Sequence, residues 1–383
     1  MKKLNVMFKP TYRCNLRCTY CYAEHSRQRK PSEALTDAET QFLFSWLKDY
    51  CILTGVDTVH IVWHGGEPLL MGIAYMEKTV QFYMELLQRH GIQVKNILQT
   101  NLTYVEEGLI SLVTRYFEGQ LGFSLDYNSS LRKYPNGENA FADALENARR
   151  LKQAGIRVGA IMMCSQENVD SSDNILSFFM SEGISFRLNR LALPQKSSDD
   201  AKTCVSAVSP KRYAQCVNDL IDQVLDNPKY SGSAELFANA TEAVGDILHG
   251  GSSEYGYEFR GSCVGHYLSV GPGGDIFTCA RFSAEEDVLG NYFTETPDVI
   301  SKRVQEYTIK CQCKDMKCTL CEFQNICRGG CAFLRFTGGH ADACMVTRLI
   351  LGHVKEKLEK LGLSQGCLSK ISKEDLIKMR GHK

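Results

Sequence analysis

Three cysteines fall within the eight residues Cys14-Asn15-Leu16-Arg17-Cys18-Thr19-Tyr20-Cys21, spaced CxxxCxxC with an aromatic residue before the third. A cubane [4Fe-4S] cluster has four irons and normally takes four thiolates. Three thiolates on one short loop hold three irons and leave the fourth without a protein ligand. That iron can bind a substrate or cofactor, so such a cluster can do chemistry as well as carry electrons. Two plainer readings compete. Half of a zinc site would usually present C-x2-4-C with a second pair downstream. Reduced buried thiols would not be expected in a loop rich in Arg, Asn and Thr.

A second concentration of thiols lies toward the C-terminus: Cys263, Cys279, Cys318, Cys321, Cys327, Cys331 and Cys344. Their spacing is Cys-x15-Cys, then C-x2-C-x5-C-x3-C, then one distant cysteine. Strand signals at 267–270 and 276–278 flank Gly271-Pro272-Gly273-Gly274-Asp275, which reads as a hairpin turn. Pairing those strands brings Cys263 and Cys279 to the same end. A zinc ribbon over 318–331 is the alternative. Cys51, Cys164, Cys204, Cys216 and Cys367 fit no ligand pattern and read as free thiols.

The remaining chemistry-bearing groups sit where strands end. Strands are expected at 4–9, 58–63, 95–99, 121–125, 157–163 and 184–190. Helices are expected at 74–90, 106–117, 138–154 and 172–182, with Thr36 and Glu39 as a capping box for another carrying Phe42, Phe44, Trp46, Leu47 and Tyr50. Such alternation implies a parallel sheet with helices outside, and its active face lies at the C-terminal ends of the strands. The cysteine loop follows the first strand, Gly65-Gly66-Glu67-Pro68 the second, Asn101 the third, and Ser124 and Asp126 the fourth. In the Gly-Gly-Glu-Pro turn, backbone carbonyls and a carboxylate suit a cation, the glycines permit close approach, and Pro68 stiffens the turn. Ser124, Asp126 and Asn101 could equally be helix caps.

The CxxxCxxC spacing, Tyr20 and the Gly65–Pro68 motif resemble the signature of the radical S-adenosylmethionine (radical SAM) enzymes. The cysteines from Cys263 to Cys344 resemble the SPASM domain, an extension of some of these enzymes. The resemblance implies an α/β fold: a partial (β/α) radical SAM barrel with a C-terminal Cys-rich SPASM domain. It divides the chain into a barrel at 1–200, a bridging region at 201–258, the SPASM domain at 259–345 and a C-terminal helix and Lys-rich tail at 346–383, where the apolar pattern of the helix itself begins at about Cys344 and runs to Leu361. It implies three [4Fe-4S] clusters: one on Cys14, Cys18 and Cys21, one on Cys263, Cys279 and Cys331, and one on Cys318, Cys321, Cys327 and Cys344. It places S-adenosylmethionine at Gly65, Gly66, Glu67 and Pro68, with Tyr20 near the adenine and Ser124, Asp126 and Asn101 near the ribose or carboxylate.

The implied activity is reductive cleavage of S-adenosylmethionine, giving a 5'-deoxyadenosyl radical that attacks a peptide or protein residue. An external one-electron donor of the flavodoxin or ferredoxin kind is required. Two departures from the sulfatase-maturing members bear on the product. Residues 252–262 lack the extra cysteine those members carry, so the fourth position of the first auxiliary cluster is open or is filled by Cys311 or Cys313. Ala280 follows Cys279 where those members have an aspartate as proposed base, unless Asp275 or Glu285 takes the role. Cross-linking or oxidation of a peptide residue is therefore the main expectation, and formylglycine formation from Ser or Cys the alternative. Some peptide epimerases use a thiol placed like Cys164 as a hydrogen donor.

Composition sets the outer limits. The chain has 383 residues and is 44% hydrophobic, enough for two domains or a barrel with an appendage. Lys plus Arg equals Asp plus Glu at 44 each, without a basic run, so nucleic acid is not an expected partner. There is no bilayer-length apolar stretch and no signal peptide, so no membrane partner and a cytoplasmic location are expected. The 17 cysteines then read as metal ligands in a reducing compartment. Cys14 comes so early that no separate peptide-recognition domain is expected before the barrel.

Overall fold

The structure is a computed structural model that describes residues 2–21, 23, 34–191, 206–230, 233–250, 263–282, 287–311, 316–336 and 339–363. Cys204, Cys313, Cys367, Glu285, the 252–262 stretch and the Lys-rich tail beyond 363 lie outside the described residues.

Along the chain, β1 (Lys3–Phe8) is followed by α1 (Asp37–Thr54), β2 (Thr58–Trp63), α2 (Ile73–Gln88), β3 (Gln93–Thr100), α3 (Leu109–Tyr116), β4 (Gln120–Ser124), α4 (Phe141–Gln153), β5 (Arg157–Cys164), α5 (Ser172–Glu182) and β6 (Ser185–Arg190). Then come α6 (Pro210–Asp226), α7 (Ala238–His249), β7 (Tyr267–Val270), β8 (Asp275–Phe277), β9 (Gly290–Asn291) and α8 (Pro297–Lys310). Short helices α9 (Met316–Thr319), α10 (Gln324–Cys327) and α11 (Ala332–Phe336) lead to α12 (His340–Lys360). This is the α/β alternation of a partial (β/α) barrel. The expected strands and helices are present, mostly with bounds shifted by a few residues. The last long helix starts at His340, four residues before the expected start at Cys344.

The residues cluster into two compact units. One comprises Met1–Leu125, Ser130–Gly159 and Cys263–Gln312, the other Asp126–Ser129, Ala160–Ser262 and Cys313–Lys383.

In the first unit the strand order is β4-β3-β2-β1-β7-β8-β9. β1, β2, β3 and β4 pair in parallel, β7 joins β1 in parallel, and β8 and β9 continue antiparallel. In β1 the buried residues alternate as Leu4, Val6 and Phe8, the period that a strand requires. Phe8 meets Phe44 of α1 edge-on at 5.1 Å and Trp63 of β2 at 4.9 Å. Phe44 stacks on Tyr83 of α2 at 4.4 Å. Trp63 Nε1 donates to the Tyr83 hydroxyl (3.1 Å), which donates to Asn96 Oδ1 (2.6 Å), so the buried polar atoms in this aromatic layer are paired. Burying each such ring stabilises the fold by about 1.5–3 kcal/mol. The capping box of α1 is formed: Thr36 Oγ1 accepts from Glu39 N, and Glu39 returns a bond to Thr36 N.

In the second unit β5 and β6 are neighbours. Phe179 of α5, Phe186 of β6 and Phe237 stack in series at 4.2 and 4.8 Å. The Asn239 side chain accepts from Leu188 N and donates to Leu188 O, standing in for a neighbouring strand along β6. Asp222 of α6 pairs with His353 and Lys357 of α12. No helix among the described residues is long and apolar enough to cross a membrane.

Candidate active site

The loop after β1 is fixed before any ligand is considered. Leu16 is buried and anchors it. Arg17 N donates to Lys133 O (2.7 Å) and Thr19 N to Leu131 O (3.0 Å), tying the loop to the segment before α4. Cys21 N donates to Cys18 O, closing a turn between two of the three thiols. Leu16 N and Asn101 Nδ2 both point donors at Cys14 Sγ, at 3.4 and 3.8 Å. Burial pushes the Cys14 thiol up to about 11; Leu16 N–H opposes this, while Glu67, Cys21 and Cys18 add to it. A Cys14 thiol whose ionisation is discouraged by burial and by its two neighbours, with N–H donors already aimed at its sulfur, suits a cationic iron centre that replaces its proton. Among the described residues no three His, Cys, Asp or Glu side chains converge as ligands of a single ion would. A cubane spreads its thiolates over separate irons, so its ligands stand further apart than those of one zinc ion.

The Gly-Gly-Glu-Pro turn packs directly on this loop. Gly66 N donates to Thr11 O (2.9 Å) and Glu67 N to Arg13 O (2.8 Å). A Cβ on Gly66 would stand 2.1 Å from Arg13 O, and one on Gly65 2.5 Å from Thr11 O. The glycines are thus needed for contact between turn and loop. Glu67 is 1% exposed, and both its oxygens are engaged by the chain. Oε1 accepts from Leu69 N (3.0 Å) and Thr100 Oγ1 (2.7 Å), and Oε2 from Asn101 N (2.6 Å). Burial raises its pKa, while these three donors act to lower it. The expectation sets this carboxylate, with the turn's carbonyls, toward an ammonium group; in the structure its oxygens also join the turn to the end of β3.

Asn101, 7% exposed, completes the joint. Its amide donates to Asn15 Oδ1 (2.8 Å) and its Oδ1 accepts from Thr103. The next residue, Leu102, holds a left-handed φ of 55°, which costs a non-glycine residue about 1–2 kcal/mol. Ser124, at the end of β4, accepts from Gln99 Nε2 (3.3 Å). Asp126 belongs to the second unit, where its Oδ1 accepts from Met163 N of β5 (2.8 Å). Tyr20 accepts from Arg132 Nη1 (3.0 Å), and the Arg132 charge also acts on Glu67.

Arg132 was not singled out from sequence, because a lone arginine in a polar loop carries no spacing signal. Lys9 and His64 were also missed. Lys9 is 2% exposed; burial depresses its pKa to about 8, and Cys279 and Cys21 act to raise it. His64 immediately precedes the glycine turn and accepts from Gly65 N at Nδ1 (2.8 Å). Burial, reinforced by the Lys9 charge, lowers its pKa to about 4. A signal for Lys9 did exist. Leu4, Val6 and Phe8 face the helices, so alternation sends Asn5, Met7 and Lys9 to the opposite face at the active end of the strand.

The C-terminal thiols divide between the units. In the first, β7 and β8 form the expected hairpin, with Ser269 opposite Phe277; extending that register sets Tyr267 opposite Cys279. Cys311 is buried at the end of α8. In the second, Cys318 lies in α9 and Cys327 ends α10, where Arg328, Gly329 and Gly330 reverse the chain with positive φ. Burial pushes Cys327 up to about 11, with Cys344 and Cys321 adding to the rise and the N–H groups of Gly329 and Gly330 opposing it. Cys331 packs with Leu334 and Ala343. Cys51, Cys164 and Cys216 are buried thiols.

A family model described as the radical SAM superfamily matches residues 8–179. The serine-type anaerobic sulfatase-maturating enzyme of Bacteroides thetaiotaomicron is 22% identical over 362 residues, covering 88% of this chain and 84% of that protein. The cysteine-type enzyme of Clostridium perfringens is 23% identical over 342 residues, covering 86% and 89%. The solved structure of native anSMEcpe with bound AdoMet and Cp18Cys peptide superimposes with a TM-score of 0.76 at 19% identity, covering 94% of this chain and 98% of that one. The superfamily match opens on the last residue of β1 and closes inside α5, so it spans every strand end from which the loop, the turn and Asn101 emerge. Residues 8–179 thus form a radical SAM domain.

Proposed function

We propose that this enzyme modifies a residue of a peptide or protein through a carbon radical, with auxiliary iron-sulfur clusters taking up the electron that the substrate releases. The observation that carries the reading is the reach of the likeness. Sulfatase-maturating enzymes align over 86–88% of this chain, so the alignment extends well beyond the barrel half. In this reading Cys14, Cys18 and Cys21 hold the cluster that binds S-adenosylmethionine. Cys263, Cys279 and Cys331 hold one auxiliary cluster, and Cys318, Cys321, Cys327 and Cys344 another, within a SPASM domain at 259–345. Bound there, cluster and S-adenosylmethionine would supply hydrogen-atom abstraction from the substrate by way of a 5'-deoxyadenosyl radical. The carbonyls of Gly65 and Gly66 receive the methionyl ammonium. Glu67 and Asn101 keep turn and cysteine loop in fixed register, and Tyr20, Arg132 and Ser124 line the cofactor's remaining polar groups. A flavodoxin- or ferredoxin-like protein delivers the first electron.

Two products are in contention. The relatives favour oxidation of Ser or Cys to formylglycine. Ala280 has no proton acceptor where that chemistry places an aspartate, which favours a cross-link. Incubation of the reconstituted enzyme with reductant, S-adenosylmethionine and a Ser- or Cys-type sulfatase peptide separates them by mass spectrometry. An aldehyde, trapped by hydroxylamine, establishes formylglycine formation. Formation of 5'-deoxyadenosine with the peptide unchanged points to a different peptide residue and to cross-linking.

A further inference from the structure

Lys9 is an expensive residue to bury. An ammonium group out of water is strongly disfavoured unless something nearby compensates it. Among the described residues no carboxylate pairs with it. Its Nζ donates to Ala280 O (3.4 Å) and stands 5.9 Å from the centre of the Phe277 ring. Cys279 and Cys21 both act to favour its charged form, against burial. The backbone fixes its position on two sides. A Cβ on Gly65, in the cofactor turn, would lie 3.1 Å from Lys9 Cβ, and so would a Cβ on Gly271, in the β7–β8 hairpin. Lys9 N also donates to Val270 O (2.9 Å). The side chain is therefore set between the two glycine turns, and its charged end reaches the backbone just after Cys279.

We infer that Lys9 is a fixed cation shared by the cluster on Cys14, Cys18 and Cys21 and by the auxiliary cluster on Cys279, and that it makes both easier to reduce. This rests on the cluster assignments proposed above. The physical reason is charge. Each electron added to a thiolate-ligated cluster makes it more negative, and a desolvated positive charge nearby stabilises the reduced form. One electron is gained by either cluster and no proton moves. Lys9 acts through the clusters and touches no substrate, so it is a positioning residue for charge.

The test is an EPR-monitored redox titration of the anaerobically reconstituted enzyme carrying Lys9→Met, Lys9→Gln or Lys9→Arg, with iron and sulfide measured in each. Met and Gln are expected to lower the reduction constant of both clusters at least tenfold, about 59 mV for a one-electron couple. Arg keeps the charge and is expected to hold the wild-type values. A merely structural lysine would lower iron content or thermal stability in all three variants without moving the potential of the clusters that remain. Unchanged potentials in a fully loaded Met or Gln variant would overturn the inference. If both neutral variants lose their iron, wild-type protein labelled with 15N in its lysine side chains is measured by pulsed EPR. Coupling of a side-chain nitrogen to the reduced cluster, absent in Lys9→Arg, supports the inference, and its absence in wild type rejects it. The auxiliary assignment fails on a separate result: Cys279→Ala with undiminished iron. The Lys9 inference is then decided on the first cluster alone.

Discussion

At the scale of single residues, the site depends on buried polar groups whose partners are all supplied by the chain. Glu67 is the clearest. Gln in its place keeps one carbonyl oxygen but turns an amide NH2 toward donors such as Asn101 N–H. A buried donor left without an acceptor costs about 1–3 kcal/mol. Glu67→Gln is thus expected to lower the urea midpoint with an unchanged slope. His64 gives a pH dependence. Its folded pKa, about 4, lies below the ordinary value of 6.5, because burial and the Lys9 charge disfavour the imidazolium. Between those values the unfolded chain binds the extra proton and the folded chain does not. Stability is therefore fully present above pH 6.5 and is lost as pH falls toward 4, by about 2 kcal/mol at pH 5. His64→Gln should abolish that part of the slope, read as the difference between the two proteins' denaturation curves at pH 7 and pH 5.

At the scale of elements, strand ends are joined by turns too tight for ordinary side chains. Gly66 has no Cβ because Arg13 O and Tyr12 O occupy that space, at 2.1 and 2.6 Å from where it would be. Both are backbone atoms of the cysteine loop, so neither can swing aside. Gly66→Ala is expected to displace the loop, lower retained iron and suppress 5'-deoxyadenosine formation. Gly245, inside α7, supplies the contrast. Nothing lies within 4 Å of its missing Cβ, and its φ is not positive. Gly245→Ala should leave activity intact and stabilise by about 0.4–1 kcal/mol, seen as a rise in melting temperature. The elements themselves were legible because their signals are local. The capping box of α1, the β-branched run of β2 and the glycine-rich hairpin each act within a few residues. The expected start of α12 at Cys344 lies four residues inside the helix, which extends back to His340.

At the scale of the whole molecule, the test is how iron is distributed. Replacing Cys14, Cys18 and Cys21 together by Ala should remove about four irons per chain and all cleavage of S-adenosylmethionine. Replacing Cys321 and Cys327 should remove a similar amount of iron while 5'-deoxyadenosine still forms, with product formation lost; iron assay and chromatography check both. The cysteine spacings, the alternation of strand and helix and the glycine turn were fixed by residue type and order, since thiols, β-branched runs and glycines carry their chemistry wherever they fall. Tertiary structure alone decided which buried groups meet. It engaged Glu67 with Thr100 and Asn101, brought Arg132 to Tyr20 and set Lys9 between two glycine turns more than two hundred residues apart in sequence. Those pairings depend on strand register and on close backbone approach, and neither is encoded by any short stretch of chain.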